Sequence, residues 1–377
     1  MGRASATFMI CAVVMLSAAC ASHQAGTPGV LPLLPKATLA EAPTLVRRAP
    51  TASPAASPTS EAIASVAPCP IAESGGLISE LDRISALLPG PGTQGMAIPT
   101  DAQLAAWEQV FQALSRNDTQ AACDLLRDHA LPYQLVQFTD LPFQDDQVLL
   151  LRESEPLTVG WGTYVVRPQA ARDLVIEVPH PLEDSYTRGE GITFFRQLGA
   201  KALLVAGAHR CANAEFSACG GTTIACGQVE PYRTSDVAHA VRSVFQAAHQ
   251  TWAPCGGETI VVQLHGNGLA TCPDLFLSNG TLHPGDLTHA LLRNAQRTCG
   301  QITIDVADGA PPGECGFVGN GAQAAYTLLC PASPGYEVCT DAPARPGGVD
   351  RYLSLEQSMG LRLDYACLTQ ALDATLP

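Results

Sequence analysis

The 377-residue sequence has little positive charge, with 21 Lys and Arg against 35 Asp and Glu and a formal net charge of −14. An acidic surface argues against binding to nucleic acid or to an anionic membrane face, since both are negatively charged. No G-x-S-x-G sequence occurs, which argues against a serine hydrolase with its nucleophile on a strand-to-helix elbow. No two cysteines are separated by two residues, so a cysteine-bound metal or a redox pair of that spacing is not expected.

The N-terminal residues have the pattern of a secretory signal. Residues 1–19 contain Arg3, then an apolar stretch from Phe8 to Leu16, then small residues. That stretch is too short to span a bilayer, and no later apolar run is long enough to do so. The sequence LSAAC, ending at Cys20, resembles a bacterial lipoprotein processing site. We therefore expect export to the cell envelope with a lipid on Cys20, the alternative being ordinary cleavage and release.

The number of cysteines agrees with export. The chain has 14 cysteines. Setting aside Cys11 in the signal and Cys20 leaves twelve. An even number in an exported chain predicts up to six disulfides, with a connectivity that the sequence leaves open.

The segment after the signal has a composition typical of disorder. Residues 20–75 are largely Ala, Pro, Ser and Thr, and they bury too little apolar surface to offset the entropy lost on ordering. We expect a tether that Cys69 attaches to the folded body. Residues 76–130 predict a small helical module with a structural role, because apolar residues recur there at helical spacing.

Residues 173–213 have the pattern of one crossover unit of a parallel sheet. The apolar run from Leu174 to Val178 predicts a buried strand, an amphipathic segment predicts a helix, and Ala202 to Val205 predicts a second strand. Residues 131–377 are therefore expected to form an α/β domain, with a mixed, largely parallel sheet flanked by helices. In such sheets, ligands bind beyond the carboxyl ends of the strands.

Polar side chains follow four of the predicted strands. They are His180 with Glu183, Arg210, His265 and Glu356. Hydrolytic zinc sites commonly use two His and one Glu and leave the fourth position to water. His180 and Glu183 lie three residues apart and can bind one ion from a single loop. A third ligand from a distant strand, His265, completes the set.

The two remaining side chains are candidates for the reaction itself. Bound zinc lowers the pKa of its water and polarises a carbonyl, and a separate carboxylate must then accept the proton. Glu356 is the candidate for that base. Arg210 is the candidate for stabilising an oxyanion or for binding a substrate carboxylate.

Each of these residues also has a structural interpretation. His180 would then be a loop histidine bonded to the backbone, and Glu356 a surface carboxylate that caps the last helix. Arg210 would form a salt bridge with Glu215 or Asp184. These alternatives remain open at the level of the sequence.

Asp236 and His239 form a further candidate pair. They lie three residues apart in a helix predicted to begin near Thr234 or Ser235 and to extend to Ala248. One helical turn brings their side chains together, so they are able to bind a ligand. We favour a solvated helix face for them.

The order of these motifs resembles that of the zinc carboxypeptidase superfamily, which includes the N-formylglutamate amidohydrolases and the poly-γ-glutamate hydrolases. The resemblance spans about residues 170–365. It implies that His180, Glu183 and His265 are zinc ligands, that Glu356 is the general base, and that Arg210 polarises the scissile carbonyl or binds a carboxylate. The family's Asn-Arg pair for a terminal carboxylate is absent.

The residues and the resemblance together predict an exported α/β zinc hydrolase of an amide bond. The expected substrate is a peptide, a cell-wall peptide or a γ-glutamyl or N-acyl amino acid. The alternative from another class is a lipoprotein that binds a ligand on the same fold without catalysis. We expect a monomer that contacts the membrane only through Cys20.

Overall fold

The structure is a computed structural model that describes residues 68–143, 146–309, 315, 319, 321–329 and 350–377. All of them belong to one compact unit, Ser65–Pro377. The predicted signal, the Cys20 anchor and most of the predicted tether lie outside the described residues. Among the helices described, none has the length and apolar character needed to cross a bilayer.

Ten of the described strands form one mixed sheet. All twelve described strands are β1 (Ile71–Gly75), β2 (Tyr133–Asp140), β3 (Asp146–Glu153), β4 (Thr163–Val166), β5 (Arg172–Val178), β6 (Ala200–Val205), β7 (Thr222–Thr223), β8 (Glu230–Pro231), β9 (Ile260–Gly266), β10 (Leu275–Ser278), β11 (Ile304–Val306) and β12 (Tyr352–Gln357). The order in the large sheet is β1-β2-β3-β4-β6-β5-β9-β12-β10-β11, and β7 pairs with β8 in a separate hairpin. The central strands β6, β5, β9 and β12 are parallel to one another.

The helices cover both faces of this sheet. They are α1 (Leu77–Ser85), α2 (Asp101–Ser115), α3 (Thr119–Asp128), α4 (Thr187–Gln197), α5 (Val244–Trp252), α6 (Asp286–Thr298), α7 (Ala322–Leu329), α8 (Met359–Leu363) and α9 (Ala366–Asp373). Helices α2, α3, α5 and α7 share one hydrophobic core with the sheet, and α1, α4, α6, α8 and α9 share the other. The predicted α/β fold with a mixed sheet flanked by helices is confirmed.

Alternation along each central strand decides which core a side chain enters. In β5, Val175 joins the core of α2 and α5, whereas Leu174 and Ile176 join the core of α4. Successive side chains of a strand point to opposite faces, and both faces here are covered, so the strand is an unbroken apolar run. We call these two sides the α5 face and the α4 face.

The N-terminal helices are built into these same layers. Trp107 of α2 is fully buried and packs edge-on against Tyr133 of β2, with ring centroids 4.6 Å apart. A disulfide joins Cys69 to Cys123 of α3. Within the range predicted as tether, Ile71–Gly75 forms strand β1 and pairs in parallel with β2.

The cysteines of the described residues are oxidised. Disulfides join Cys69–Cys123, Cys211–Cys226, Cys272–Cys315 and Cys299–Cys367. Cys219 and Cys255 are disulfide-bonded as well. The even count in the sequence therefore corresponds to cross-linked cysteines throughout the described part of the chain.

A buried carboxyl group lies on the α4 face near the carboxyl ends of the strands. Glu190 of α4 is fully buried, and its Oε2 accepts a hydrogen bond from Gln357 Nε2 at 3.0 Å. Its other oxygen, Oε1, has no hydrogen-bond partner among the described residues. Burial raises the pKa of Glu190 to about 8, against the lowering effects of the Gln357 hydrogen bond and of Arg362.

Glu190→Gln is expected to stabilise the fold at neutral and higher pH. Between about pH 4.5 and pH 8 the unfolded chain releases the Glu190 proton while the folded chain keeps it, so stability falls as pH rises through this window. The variant should flatten that decline in a series of thermal melts from pH 4 to pH 9. Glu108→Gln, the same change on the exposed side of α2, should leave the decline intact. Parallel curves for wild type and Glu190→Gln would contradict the assignment.

Candidate metal centre

The loop that follows β5 brings a carboxylate back to His180. The backbone N–H groups of Glu183 and Asp184 both donate to the His180 carbonyl oxygen, which closes a tight turn. This turn places Asp184 Oδ2 3.2 Å from His180 Nδ1, and both side chains are buried. Burial raises the pKa of Asp184, but the hydrogen bond with His180 and the nearby imidazole of His265 outweigh it and keep the pKa well below its usual range.

His265 reaches the same carboxylate from the neighbouring strand. It lies near the end of β9, which pairs with β5 on one side and β12 on the other. Its Nδ1 is 3.7 Å from Asp184 Oδ2, and its ring centroid is 5.0 Å from that of His180. The ligand atoms of His180, Asp184 and His265 all lie within 4.8 Å of one another.

This group suits a divalent metal such as zinc. Two imidazoles and a carboxylate are the donors that such an ion takes in open sites. The Nδ1 atoms of His180 and His265 both face Asp184 Oδ2. One cation between these three atoms would be bound by all of them. Glu183 supplies a second carboxylate from the same turn. Its Oε2 is buried and makes no hydrogen bond with any residue that the structure describes.

Glu183, predicted as a ligand, lies outside the group of three. Its Oε2 forms an ion pair with Arg210, 3.4 Å from the Nε atom. Burial raises the pKa of Glu183, although Arg210 and His180 oppose the rise. The structure thus brings His180 and His265 together as predicted ligands and offers two adjacent carboxylates as the third.

Asp236 holds the other side of the His180 ring. Its Oδ1 is 2.9 Å from His180 Nε2, and its Oδ2 accepts hydrogen bonds from Arg210, at 2.9 Å from Nε. Burial and Arg210 lower the pKa of His180, but Asp236 and Asp184 outweigh them and raise it to about 9. Carboxylates that bond the outer nitrogen of a ligating histidine orient the ring and increase its basicity.

The position of Asp236 corrects the helix predicted over 234–248. In the first part of that range only Val237–His239 forms a short 3-10 turn, and Ala240 is extended. Helix α5 begins later because the Ser243 side chain accepts a hydrogen bond from the backbone of Gln246. The interpretation of Asp236 as part of a solvated helix face is wrong, since the side chain is buried against His180.

Arg210 lies between the two carboxylates. It bonds Asp236 through Nε and Nη2 and pairs with Glu183, and these neighbours raise its pKa, so it stays charged. Nη1 makes no hydrogen bond to any residue that the structure describes. Of the partners considered from the sequence, Glu215 forms no ion pair with Arg210 among the described residues.

Glu356 lies beside the two histidines on the same face of the sheet. It is a register partner of His265 across the parallel pair β9 and β12. The side chain is buried, and burial raises its pKa against the opposing effects of His265 and His180. It therefore lines the same cavity as the metal group. It does not cap the last helix, whose N-cap residue is Tyr365.

These residues open into one cavity of about 420 Å³. Its lining includes His180, Asp184, Arg210, His265 and Glu356 on the floor, and Thr222, Thr223, Ile224, Val229, Tyr232 and His239 from the walls. Ile224 and Val229 are 71% and 73% exposed, so the rim of the cavity carries two apolar side chains in contact with solvent. The Cys211–Cys226 disulfide connects this rim to the residue that follows Arg210 in the chain.

Two aromatic rings form one wall. Tyr232 stacks on His239 with centroids 3.6 Å apart and an interplanar angle of 7°. Burial holds the pKa of His239 down at about 4, although Asp236 opposes this.

Comparisons with known proteins gave similarity at the level of solved structures. No protein-family model matches the chain, and no curated protein matches it. An N-formylglutamate amidohydrolase from Ralstonia eutropha JMP134 is 12% identical, with a TM-score of 0.30, over 58% of this chain and 95% of that chain. A metallo-carboxypeptidase from Pseudomonas aeruginosa is 15% identical, with a TM-score of 0.29, over 68% of each chain. A metallo-carboxypeptidase from Burkholderia cenocepacia is 14% identical, with a TM-score of 0.30, over 74% of this chain and 68% of that chain.

These solved structures are of the protein classes that the sequence motifs resemble. At identities of 12–15% and TM-scores of about 0.3 they carry no argument about activity.

The choice between the two adjacent carboxylates is testable by zinc titration. Asp184→Asn is expected to weaken zinc binding by more than about 100-fold, beyond the roughly 10–100-fold effect of changing an outer partner. Glu183→Gln, its neighbour and matched control, should have a smaller effect because Glu183 pairs with Arg210. The reverse ranking, measured by competition with a chromogenic chelator, would assign the ligand to Glu183.

Proposed function

We propose that this protein is a zinc-dependent hydrolase that cleaves an amide bond. One observation carries the proposal. His180, Asp184 and His265 converge at the carboxyl ends of adjacent strands, on the floor of a cavity that also contains Glu356 and Arg210. A metal-binding group, a buried carboxylate and a fixed positive charge in one cavity are the parts that hydrolysis by water requires.

The ion would be held by His180, His265 and one of the two carboxylates after β5. Zinc supplies a Lewis acid and a water of lowered pKa in such sites. Asp236 would keep the His180 ring in place through the bond to Nε2. Glu183 or Asp184, whichever does not bind the ion, remains a negative neighbour for Arg210.

Glu356 is the base of the proposed reaction. As water attacks the carbonyl carbon of the amide, Glu356 takes one proton from it. The carboxyl group then gives this proton to the amide nitrogen, and the carbon–nitrogen bond breaks. Burial raises the pKa of Glu356 and makes the carboxylate a stronger base.

Arg210 supports the proposed reaction by electrostatics. Asp236 and Glu183 hold the guanidinium, so it needs no reorganisation when negative charge develops on the carbonyl oxygen. Nη1, which is free of hydrogen bonds to described residues, is the atom we assign to that oxygen or to a substrate carboxylate. A guanidinium binds such oxygens more directionally than an ammonium does.

The cavity favours a small amide substrate with an apolar part. Its volume of about 420 Å³ lies within the range of small-molecule sites. The floor is charged, whereas Ile224 and Val229 at the rim are apolar and exposed. Peptides, cell-wall peptides and γ-glutamyl or N-acyl amino acids combine these features and are the substrates we propose.

Glu356→Gln is the variant that tests the proposed chemistry. The change removes the proton acceptor and keeps the size of the side chain, so hydrolysis should fall by roughly 10²–10⁴-fold with zinc still bound. The assay is release of amine from a panel of N-acyl amino acids, γ-glutamyl amides and dipeptides by the zinc-loaded protein. Glu108→Gln, on the exposed side of α2, is the control and should leave hydrolysis unchanged. Gln357→Glu is unsuitable because Gln357 hydrogen-bonds Glu190.

Three results would count against the proposal. If the wild type binds no stoichiometric zinc, or if His180→Ala and His265→Ala still bind it, the proposed metal centre is wrong. Zinc binding without hydrolysis of any substrate in the panel would favour the alternative of a ligand-binding lipoprotein. Full activity in Glu356→Gln would remove the assigned base.

We further propose export and a lipid anchor on Cys20. Disulfides persist in oxidising compartments, and the oxidised cysteines of the folded unit support such a location. Cys20→Ser in the full chain should move the protein from the membrane fraction to the soluble fraction of an expressing bacterium. An unchanged distribution would contradict the anchor.

A further inference from the structure

A buried chain of polar side chains extends from His265 into the core on the α5 face. His265 Nε2 is 2.6 Å from Gln263 Oε1, and Gln263 in turn contacts Glu177 and Gln323. Gln263, Glu177 and Gln323 are all 1% exposed or less. Buried polar atoms in such a chain have few alternative partners, so each hydrogen bond restricts the next one.

The orientation of the Gln323 amide follows from a backbone carbonyl. Its Nε2 is 3.0 Å from the carbonyl oxygen of Val237 and 2.8 Å from Gln246 Oε1. A carbonyl oxygen accepts hydrogen bonds and never donates them, so the atom facing Val237 must be the NH₂ group. Gln323 Oε1 is then an acceptor toward the rest of the chain.

The Gln263 amide is oriented by two acceptors. Its Nε2 is 3.2 Å from Gln323 Oε1 and 2.9 Å from Glu177 Oε2. The carboxylate of Glu177 accepts hydrogen bonds, as Gln323 Oε1 does, and it is held in place by His249 Nδ1 at 2.7 Å. Both hydrogens of the Gln263 NH₂ group are therefore used, and Gln263 Oε1 presents only lone pairs to His265.

The hydrogen-bonded nitrogen of His265 must consequently carry a proton. A neutral imidazole has one protonated nitrogen and one lone pair, so protonation at Nε2 leaves the lone pair on Nδ1. Nδ1 is the atom that faces Asp184 Oδ2 at 3.7 Å, inside the group of candidate ligands. The buried network thus determines which nitrogen of His265 is available to an ion.

We propose, on the basis of the metal site proposed above, that Gln263 is a positioning residue that holds His265 in the tautomer with Nδ1 free for the metal. Gln263 binds no ion itself. It differs from Asp236, the partner of His180, because an amide brings no negative charge. The two histidines are therefore oriented by different means, His180 by a carboxylate and His265 by a neutral amide that the core orients.

The first test is the tautomer of His265 in the wild-type protein. Nitrogen chemical shifts of the metal-free protein, recorded at a pH where this ring is neutral, should show a proton on Nε2 and a lone pair on Nδ1. Gln263→Met keeps the length of the side chain and removes its hydrogen bonds, so the same spectrum should show both tautomers. A wild-type ring protonated at Nδ1 would overturn the inference without any variant.

The second test is zinc affinity, measured by competition with a chromogenic chelator. Gln263→Met should raise the Kd for zinc by about 10–100-fold, the effect of losing an outer partner of a ligating histidine. Gln246→Met is the matched control, because Gln246 is equally buried and belongs to the same network but does not touch His265. Its Kd should stay within about threefold of the wild-type value.

The outcomes separate this inference from the proposed function. Wild-type zinc affinity in a folded Gln263→Met protein overturns the positioning role and leaves the hydrolase proposal standing. An equal loss in Gln246→Met also overturns it, because a general loosening of the core would then explain both variants. If the wild type binds no zinc, the hydrolase proposal fails, and the tautomer spectrum still decides the role of Gln263. The spectrum also decides it if Gln263→Met does not fold.

Discussion

The candidate site depends on the parallel pairing of three central strands. In β5, β9 and β12, Glu177 is opposite Gln263, Gln263 is opposite Ser354, and His265 is opposite Glu356. Because side chains alternate along a strand, all of these point to the same face as one another. A shift of one residue in the β9 register would move His265 to the α4 face and leave His180 without its neighbour. The register of apolar residues on the opposite face, such as Ile176 and Val262, therefore also places the polar ones.

Much of this arrangement was predictable from the sequence. A strand buried on both faces is a run of apolar residues, and the strand ends where polar residues begin. The runs before His180 and His265 predicted the sheet and its carboxyl edge, and the structure places both histidines there. Arg210 and Glu356 also lie in the same cavity. What the sequence did not determine is how a turn orders two adjacent carboxylates. The bonds from Glu183 and Asp184 to the His180 carbonyl decide that, and they are properties of backbone geometry.

The contact of Asp236 with His180 was missed for a different reason. Its spacing to His239 fits one turn of a helix, and helical periodicity assigns polar pairs to a solvated face. The signal that would have corrected this is Ser243, a second N-cap candidate that begins α5 nine residues after Thr234 and leaves Asp236 in a connecting segment. The residues of the buried network were missed as well, because Gln263 and Glu177 look like interruptions of apolar strands until their partners on α5 and α7 are known.

Charge is balanced locally at the site. His180 is held between Asp184 and Asp236, and Arg210 between Asp236 and Glu183. Each buried cation thus has carboxylates on both sides, which is the condition under which buried charge is tolerated. The acidic composition of the whole chain supplies these carboxylates but does not explain them, since Asp184 and Asp236 are buried and Glu183 is partly buried.

The lining of the cavity comes from two parts of the chain, one of which the Cys211–Cys226 disulfide closes into a loop. The floor comes from the ends of sheet strands, whereas Thr222, Thr223 and Ile224 belong to the segment that this bond closes. A surface loop tolerates changes of length at a cost that grows slowly with the number of residues, and a covalent closure keeps its ends together regardless of its content. Substitutions at the exposed residues Thr222 and Ile224 are therefore able to diversify what the cavity accepts. Asn213 and Ser217 of the same segment instead hydrogen-bond Thr234, Ser235 and His239, so they are tied to the site itself. One closed segment thus contains both residues that only line the cavity and residues that support the site.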